Sequence, residues 1–117
     1  MPRILIADDH SVVRRRVREM LESEGGWEVC AEAATGWEAV AMAAAARPDV
    51  VVLDLSMPEL DGLQAARHIH EQLPQTAIVL LTMFDTSEVG DVAATVGVRT
   101  CISKTDIHRL LEVIIDI

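Results

Sequence analysis

The sequence predicts an α/β fold in which one parallel sheet of five strands is covered on both faces by five helices. Apolar segments of strand length alternate with segments of helical period along the chain, which is typical of a doubly wound parallel sheet. The chain has 117 residues, of which 50% are hydrophobic and 25% are charged. These values predict one compact domain over residues 1–117 and exclude a disordered segment.

Five segments are predicted to form the strands. Three are nearly continuous aliphatic runs, as expected for central strands buried on both faces: Arg3–Asp8, Val50–Leu55 and Ala77–Thr82. The other two, Glu28–Ala33 and Thr100–Lys104, are more polar and suit the edges of the sheet.

Helices are predicted between these strands from their start and stop signals. The first helix carries one apolar stripe at helical spacing: Val13, Val17, Met20 and Leu21. Later helices start at capping sequences, at Thr35–Glu38 (a capping box), Asp61–Gly62 and Asp85–Glu88. Four helices end where glycine or proline interrupts the pattern, at Gly25–Gly26, Pro48, Pro74 and Gly97. The fifth helix follows Lys104.

Charge and composition exclude several classes of function. With 19 acidic and 10 basic side chains, the formal net charge is -9. The domain therefore cannot by itself bind DNA through its phosphates. No apolar run has the length needed to cross a membrane, and the N-terminus lacks the features of a signal peptide, so we expect a cytoplasmic protein. Cys30 and Cys101 lack the spacing of a zinc site and are expected to be buried thiols.

Polar side chains stand at the carboxyl ends of four predicted strands. The first strand ends in Asp8 and Asp9, the third near Asp54, the fourth in Thr82 and the fifth in Lys104. In a doubly wound sheet these ends meet at one edge, where functional groups collect. Three clustered carboxylates need a cation, and Mg²⁺ prefers oxygen ligands while leaving positions open for phosphate oxygens. An aspartate is also a competent nucleophile for phosphoryl transfer.

Each of these residues also has a simpler interpretation. Asp8 and Asp9 could cap a helix, and Asp54 could cap a turn. Lys104 is the single lysine among ten basic residues, which either marks a need for a compact charge or reflects a bias toward arginine. The coincidence at four strand ends favours the functional interpretation.

The chain resembles bacterial two-component response-regulator receiver domains over all 117 residues. The similarity lies in ILIADDHSVVR, VVLDLSMPELDG, LLTMFD and the ISK sequence that ends the fifth strand. DDHSVVR and LTMFD further resemble the NarL/FixJ subfamily, whose members usually carry a helix-turn-helix DNA-binding domain after the receiver. The resemblance implies a flavodoxin-like sheet with strand order 2-1-3-4-5.

The resemblance also implies the role of each site residue. Asp54 would accept phosphate from a sensor histidine kinase. Asp9, Asp54 and the Ser56 carbonyl would bind Mg²⁺, with Asp8 acting largely through water. Lys104 would pair with the phosphoryl group, and Thr82 would turn inward to hydrogen-bond it. The implied protein is a phosphoacceptor rather than an enzyme, can form a homodimer, and contacts DNA only through an output domain not present in this chain.

The sequence departs from the family pattern at two positions. Cys101 stands where members commonly carry the aromatic residue that moves with the threonine, and Thr105 follows Lys104 where proline is common.

Two other phosphate-linked classes fit poorly. Haloacid dehalogenase phosphatases need a second aspartate two residues after the nucleophile, and a flavodoxin-like cofactor module needs an uncharged phosphate loop where this chain has acids. A stand-alone receiver that acts through protein association stays as the alternative.

Other side chains are given structural interpretations. The basic patch on the first helix, formed by Arg14, Arg15, Arg16 and Arg18, is expected to be a solvated face. His10 suits zinc better than magnesium and is expected to be an ordinary loop histidine. Trp27 and Trp37 are expected to pack in or beside the core.

Overall fold

The computed structural model describes residues 2–83 and 86–117. Five strands form one sheet: β1 Arg3–Ala7, β2 Glu28–Ala33, β3 Val50–Asp54, β4 Ala77–Thr82 and β5 Val98–Ser103. Five α-helices are present among the described residues: α1 Ser11–Glu24, α2 Gly36–Ala46, α3 Gly62–Gln72, α4 Thr86–Thr95 and α5 Leu110–Ile115. A 3-10 helix, Lys104–Arg109, connects β5 to α5.

All strand pairs are parallel, and the strand order is β2-β1-β3-β4-β5. The predicted doubly wound fold and the strand order are therefore confirmed. β3 and β4 are buried along their whole length, whereas β2 and β5 lie at the edges and are partly exposed. This difference follows from the sequence, because only central strands need apolar side chains on both faces.

The two faces of the sheet carry separate apolar cores. One core contains Leu5, Val51, Leu53, Ile78 and Leu80 together with buried residues of α2, α3 and α4. The other contains Ile4, Val52, Val79, Ile102 and buried residues of α1 and α5. Alternate residues of each central strand thus enter opposite cores, which fixes the strand register. None of the described helices combines the length and apolar character that crossing a membrane requires.

The ends of several elements differ from the prediction. β5 starts at Val98, two residues early, because its register with β4 shifts between Ile78 and Val79. Such a bulge lets the strand extend through residues that look like a turn in the sequence. β1, β3 and β5 each end one residue early, at Ala7, Asp54 and Ser103, so Asp8 and Lys104 lie just beyond the sheet.

The capping signals are largely present. Asp61 and Gln64 form a complete capping box at α3. At α2, the Thr35 side chain accepts from the Glu38 N–H, but the Glu38 carboxylate accepts from Ala34 N–H instead of Thr35 N–H, so that predicted box is only half formed. The predicted cap at Asp85 lies outside the described residues.

Three expectations about burial need correction. Trp37 is 48% exposed and stacks at a tilt on His68, because it lies on the outer face of α2. Cys30 and Cys101 are free thiols but only partly buried, since both belong to edge strands. Burial raises the pKa of both thiols.

Candidate functional site

Three aspartates lie at the carboxyl edge of the sheet. Asp8 follows β1 and Asp54 ends β3, and these two residues are 1% and 2% exposed. The next residue, Asp9, is exposed. β1 and β3 are hydrogen-bonded neighbours, so two buried carboxylates stand side by side. Such an arrangement is costly unless a cation neutralises it.

Lys104 supplies one such cation. Its Nζ lies 3.0 Å from Asp8 Oδ2 and 3.1 Å from Asp54 Oδ1, and its side chain is 10% exposed. Lys104 is the first residue of the 3-10 helix, whose cap is the Ser103 side chain accepting from the Thr105 N–H. One ammonium neutralises one charge, so the three carboxylates keep an excess of negative charge.

The electrostatics of the buried pair follow from this contact. Burial raises the pKa of Asp54, the charge of Asp8 raises it further, and the hydrogen bond and charge of Lys104 offset only part of the effect. Burial lowers the pKa of Lys104, but its hydrogen bonds to both carboxylates outweigh this and leave the pKa raised. The charged form of Lys104 is therefore favoured, and the charged form of Asp54 is disfavoured.

The turn between β1 and α1 holds the acid pair in place. The His10 N–H donates to Asp8 Oδ1 at 2.8 Å, and Arg14 Nη1 donates to the Asp8 backbone oxygen at 2.7 Å. The His10 ring is exposed, with Nδ1 3.1 Å from Asp9 Oδ1 and 3.4 Å from Asp8 Oδ1. The histidine expected to be an ordinary loop residue thus faces both acids.

The loop between β3 and α3 approaches Asp54 closely. Ser56, exposed in this loop, donates its N–H to Asp54 Oδ1 at 3.4 Å. Gly62 N–H donates to the Leu55 oxygen at 2.7 Å. A Cβ at Gly62 would lie 2.4 Å from the Asp54 backbone oxygen, so only glycine lets α3 start this close to the strand end.

These side chains fit a divalent metal ion. Asp8, Asp9, His10 and Asp54 each offer a ligand atom, and these atoms lie within 4.8 Å of one another. Asp54 Oδ2 is buried and has no hydrogen-bond partner among the described residues. A buried carboxylate oxygen without a donor is explained by a cation or by a group that bonds to it. The carboxylate-rich donor set suits a hard cation.

Thr82 and Cys101, the remaining predicted residues, lie in different places. Thr82 ends β4 and is fully buried. Lys104 and the exposed Met83 line a groove of about 500 Å³ that also contains Val13. Cys101 instead lines a groove of about 290 Å³ between α4 and β5. The structure thus brings Asp8, Asp54 and Lys104 into direct contact and places Cys101 in a separate groove.

The sequence interpretation missed two residues that support the site. Arg14, expected to be solvated, donates through Nε to Glu32 Oε1 at 3.0 Å as well as to the Asp8 backbone. Arg18 also contacts Glu32 and donates to Glu22 at 2.6 Å, so it is not a freely solvated residue either. Glu32, one of the two glutamates of β2, was the sequence signal for this cluster.

Comparison with known proteins identifies the family. Residues 4–115 match the family described as the response regulator receiver domain. The oxygen regulatory protein NreC of Staphylococcus epidermidis (strain ATCC 12228 / FDA PCI 1200) is 48% identical over 87 residues, covering 74% of this chain and 40% of that protein. The uncharacterized transcriptional regulatory protein YhcZ of Bacillus subtilis (strain 168) is 45% identical over 86 residues, with the same two coverages.

A solved structure shows the same fold over nearly the whole chain. The crystal structure of a two-component response regulator of the LuxR family from Aurantimonas sp. SI85-9A1 has a TM-score of 0.92 and 34% sequence identity. It covers 97% of this chain and 82% of that one. The matched region spans only 40% of the length of the two curated relatives. The chain belongs to the response regulator receiver domain family.

Proposed function

We propose that Asp54 accepts a phosphoryl group from the phosphohistidine of a sensor histidine kinase and so switches an output. Receiver domains are signalling phosphoacceptor domains of two-component systems. The observation that carries the assignment to Asp54 is its carboxylate: one oxygen is bonded to Lys104, and the other is buried without a partner among the described residues. That second oxygen is the atom assigned to attack phosphorus.

The transfer exchanges one bond to phosphorus for another. Asp54 Oδ2 forms the new P–O bond while the P–N bond of phosphohistidine breaks, and the electron pair of that bond stays on the imidazole nitrogen. Little covalent chemistry is left for other side chains, so their work is to position groups and offset charge. Lys104 is the residue placed to pair with the transferred group, because its Nζ already lies 3.1 Å from Asp54.

Receiver domains bind a divalent metal ion in an acidic pocket, and we assign this ion as Mg²⁺. When bound, Mg²⁺ offsets negative charge on the acceptor carboxylate and on the phosphoryl oxygens. Asp9, Asp54 and the Ser56 carbonyl are assigned as ligands, with Asp8 acting largely through water. This division is supported by the contacts of Asp8, whose two oxygens already face the His10 N–H and Lys104, whereas Asp9 is exposed.

Thr82 is assigned as the residue that senses the phosphoryl group. It is buried at the end of β4, opposite Ser103 in the parallel register with β5. A hydrogen bond from its hydroxyl to the new group would bias the surface formed by α4, β5 and α5 between two states. Cys101 lies in β5 beside that surface and is assigned to the same switch.

The partners follow from the family and its relatives. Receiver domains interact with histidine kinases and phosphatases. The relatives are regulatory proteins of which the matched region covers 40%, so a helix-turn-helix output domain outside this chain is assigned as the route to DNA. Self-association into a homodimer is a further interaction proposed for this domain. The alternative is a receiver that acts alone through protein association.

Intact mass spectrometry tests the proposal. The chain is incubated with Mg²⁺ and a small-molecule phosphodonor, with one sample containing a chelator and one containing Asp54→Asn. One added phosphoryl group is expected in the wild type with Mg²⁺ and in neither control. Modification of Asp54→Asn to the same extent, or no modification of the wild type at any Mg²⁺ concentration, would reject Asp54 as acceptor.

A further inference from the structure

We infer that Arg14 is a positioning residue of the metal site, because its guanidinium fixes the peptide that joins Asp8 to Asp9. This inference rests on the proposed function, since it concerns the same acid pair. Arg14 bonds to the Asp8 backbone oxygen, which belongs to the peptide between the two carboxylates. Its effect on the metal therefore passes through the direction of the Asp9 side chain.

The contacts form a fork. Arg14 Nη1 donates to the Asp8 backbone oxygen at 2.7 Å, and Arg14 Nε donates to Glu32 Oε1 at 3.0 Å. The Arg14 side chain is 21% exposed and the Glu32 side chain 29%. A guanidinium can satisfy two acceptors in fixed relative directions, which a single ammonium cannot do. Holding the Asp8 oxygen fixes the plane of the Asp8–Asp9 peptide.

Glu32, the second acceptor of the Arg14 guanidinium, is held in place by the sheet. Glu32 belongs to β2 and is paired with Ile6 of β1. Its other carboxylate oxygen contacts Arg18, which also donates to Glu22. The Asp8 N–H donates to the Ala33 oxygen of the same strand at 3.0 Å. β2 therefore fixes the turn from both sides of Asp8, by one backbone bond and by Arg14.

Electrostatics and positioning predict opposite results when Arg14 is removed. Deleting a positive charge near a cation site should, by charge alone, strengthen Mg²⁺ binding. Loosening the Asp8–Asp9 peptide should weaken binding, because residues that orient metal ligands typically contribute roughly 10- to 100-fold in affinity. The sign of the change thus separates the two explanations without any reference to its size.

The test measures Mg²⁺ affinity by NMR, from the amide shifts of the ¹⁵N-labelled chain during titration with MgCl₂. We expect Arg14→Ala to bind Mg²⁺ about 10-fold more weakly than wild type, with Arg14→Lys in between. A second readout is phosphorylation by a small-molecule donor. The Mg²⁺ concentration for half-maximal rate should rise with the dissociation constant, while the rate at saturating Mg²⁺ should change less than twofold.

Arg15→Ala is the matched control, because Arg15 is an exposed neighbour on α1 and its loss removes the same charge. It should bind Mg²⁺ as tightly as wild type or slightly more tightly. Equal Mg²⁺ affinity in Arg14→Ala and Arg15→Ala, or tighter binding in Arg14→Ala, would overturn the inference. A lower melting temperature with unchanged Mg²⁺ affinity would also overturn it, since the role would then be structural. Absence of phosphorylation in the wild type would instead refute the proposed function.

Discussion

Replacing Lys104 by methionine tests the charge arrangement of the site directly. The substitution keeps an unbranched side chain of similar length but removes an ammonium that contacts two buried carboxylates, at 3.0 Å and 3.1 Å. At an effective dielectric constant of about 20, each such contact is an attraction of roughly 5 kcal/mol before desolvation is subtracted. Removing one partner of a buried ion pair typically costs about 3–5 kcal/mol.

We therefore expect Lys104→Met to lower the free energy of unfolding by about 3–5 kcal/mol at pH 7.5 without Mg²⁺. This is a large fraction of the roughly 5–15 kcal/mol that stabilises a typical domain. Urea denaturation followed by tryptophan fluorescence measures it. Arg67→Met is the matched control, because Arg67 pairs with Glu71 at 3.4 Å with both side chains mostly exposed. That pair should contribute no more than about 0.5 kcal/mol.

The decrease in the free energy of unfolding caused by Lys104→Met should also depend on pH. The pKa of Asp54 is raised by burial and by Asp8, and Lys104 offsets part of this, so the variant should have a still higher Asp54 pKa. A raised carboxyl pKa gives stability that is present below the unfolded-state pKa and is lost as the pH rises through the folded-state pKa. The difference in the free energy of unfolding between wild type and Lys104→Met should therefore be smaller at pH 5 than at pH 8. A deficit under about 1 kcal/mol, or one equal at both pH values, would refute the buried pairing.

Three further substitutions give separate tests. Asp54→Asn removes the repulsion with Asp8 and should raise the free energy of unfolding in chelator by about 1–2 kcal/mol; a lower melting temperature would contradict it. Met83→Ala should speed loss of phosphate from the phosphorylated chain, because Met83 lines the groove beside Lys104; a phosphate-release assay showing an unchanged or slower rate would count against this. Cys101→Tyr should fold normally, since Gly90, Ala93 and Ala94 line the groove beside Cys101. It should also enlarge the amide shifts that a phosphoryl mimic causes in α4 and β5, and shifts equal to those of wild type would disprove this coupling.

The fold was predictable because each central strand is a run of aliphatic residues between clear helix signals. Val50–Asp54 and Ala77–Thr82 are buried throughout, and few other sequences of that length suit both faces of a sheet. The start of β5 was not predictable. Its bulge depends on how Val98 pairs with Ile78 in β4, and this register cannot be read from residues near Gly97.

The site was predictable to the extent that it depends on strand ends. Parallel strands deliver their last residues to one edge, so the topology brings Asp8, Asp54 and Lys104 to the same edge of the sheet. The roles of all the site residues stay predictions: Asp8, Asp9, Asp54, Ser56, Thr82, Cys101 and Lys104. The Arg14–Glu32 contact spans 18 residues of sequence and depends on two long side chains meeting between α1 and β2, which no local pattern encodes.

The contacts of Lys104 link the stability of this domain to its chemistry. Lys104 neutralises one of three clustered carboxylates, and the pKa of Asp54 stays raised in spite of that contact. The folded chain therefore carries the Asp54 carboxylate at a cost in stability, which is a common feature of functional sites. A second lysine would remove that cost but would compete with a metal ion for Asp9 and Asp54. The excess negative charge thus makes the site selective for a cation. Lys104 reduces this charge and so reduces its cost in folding stability.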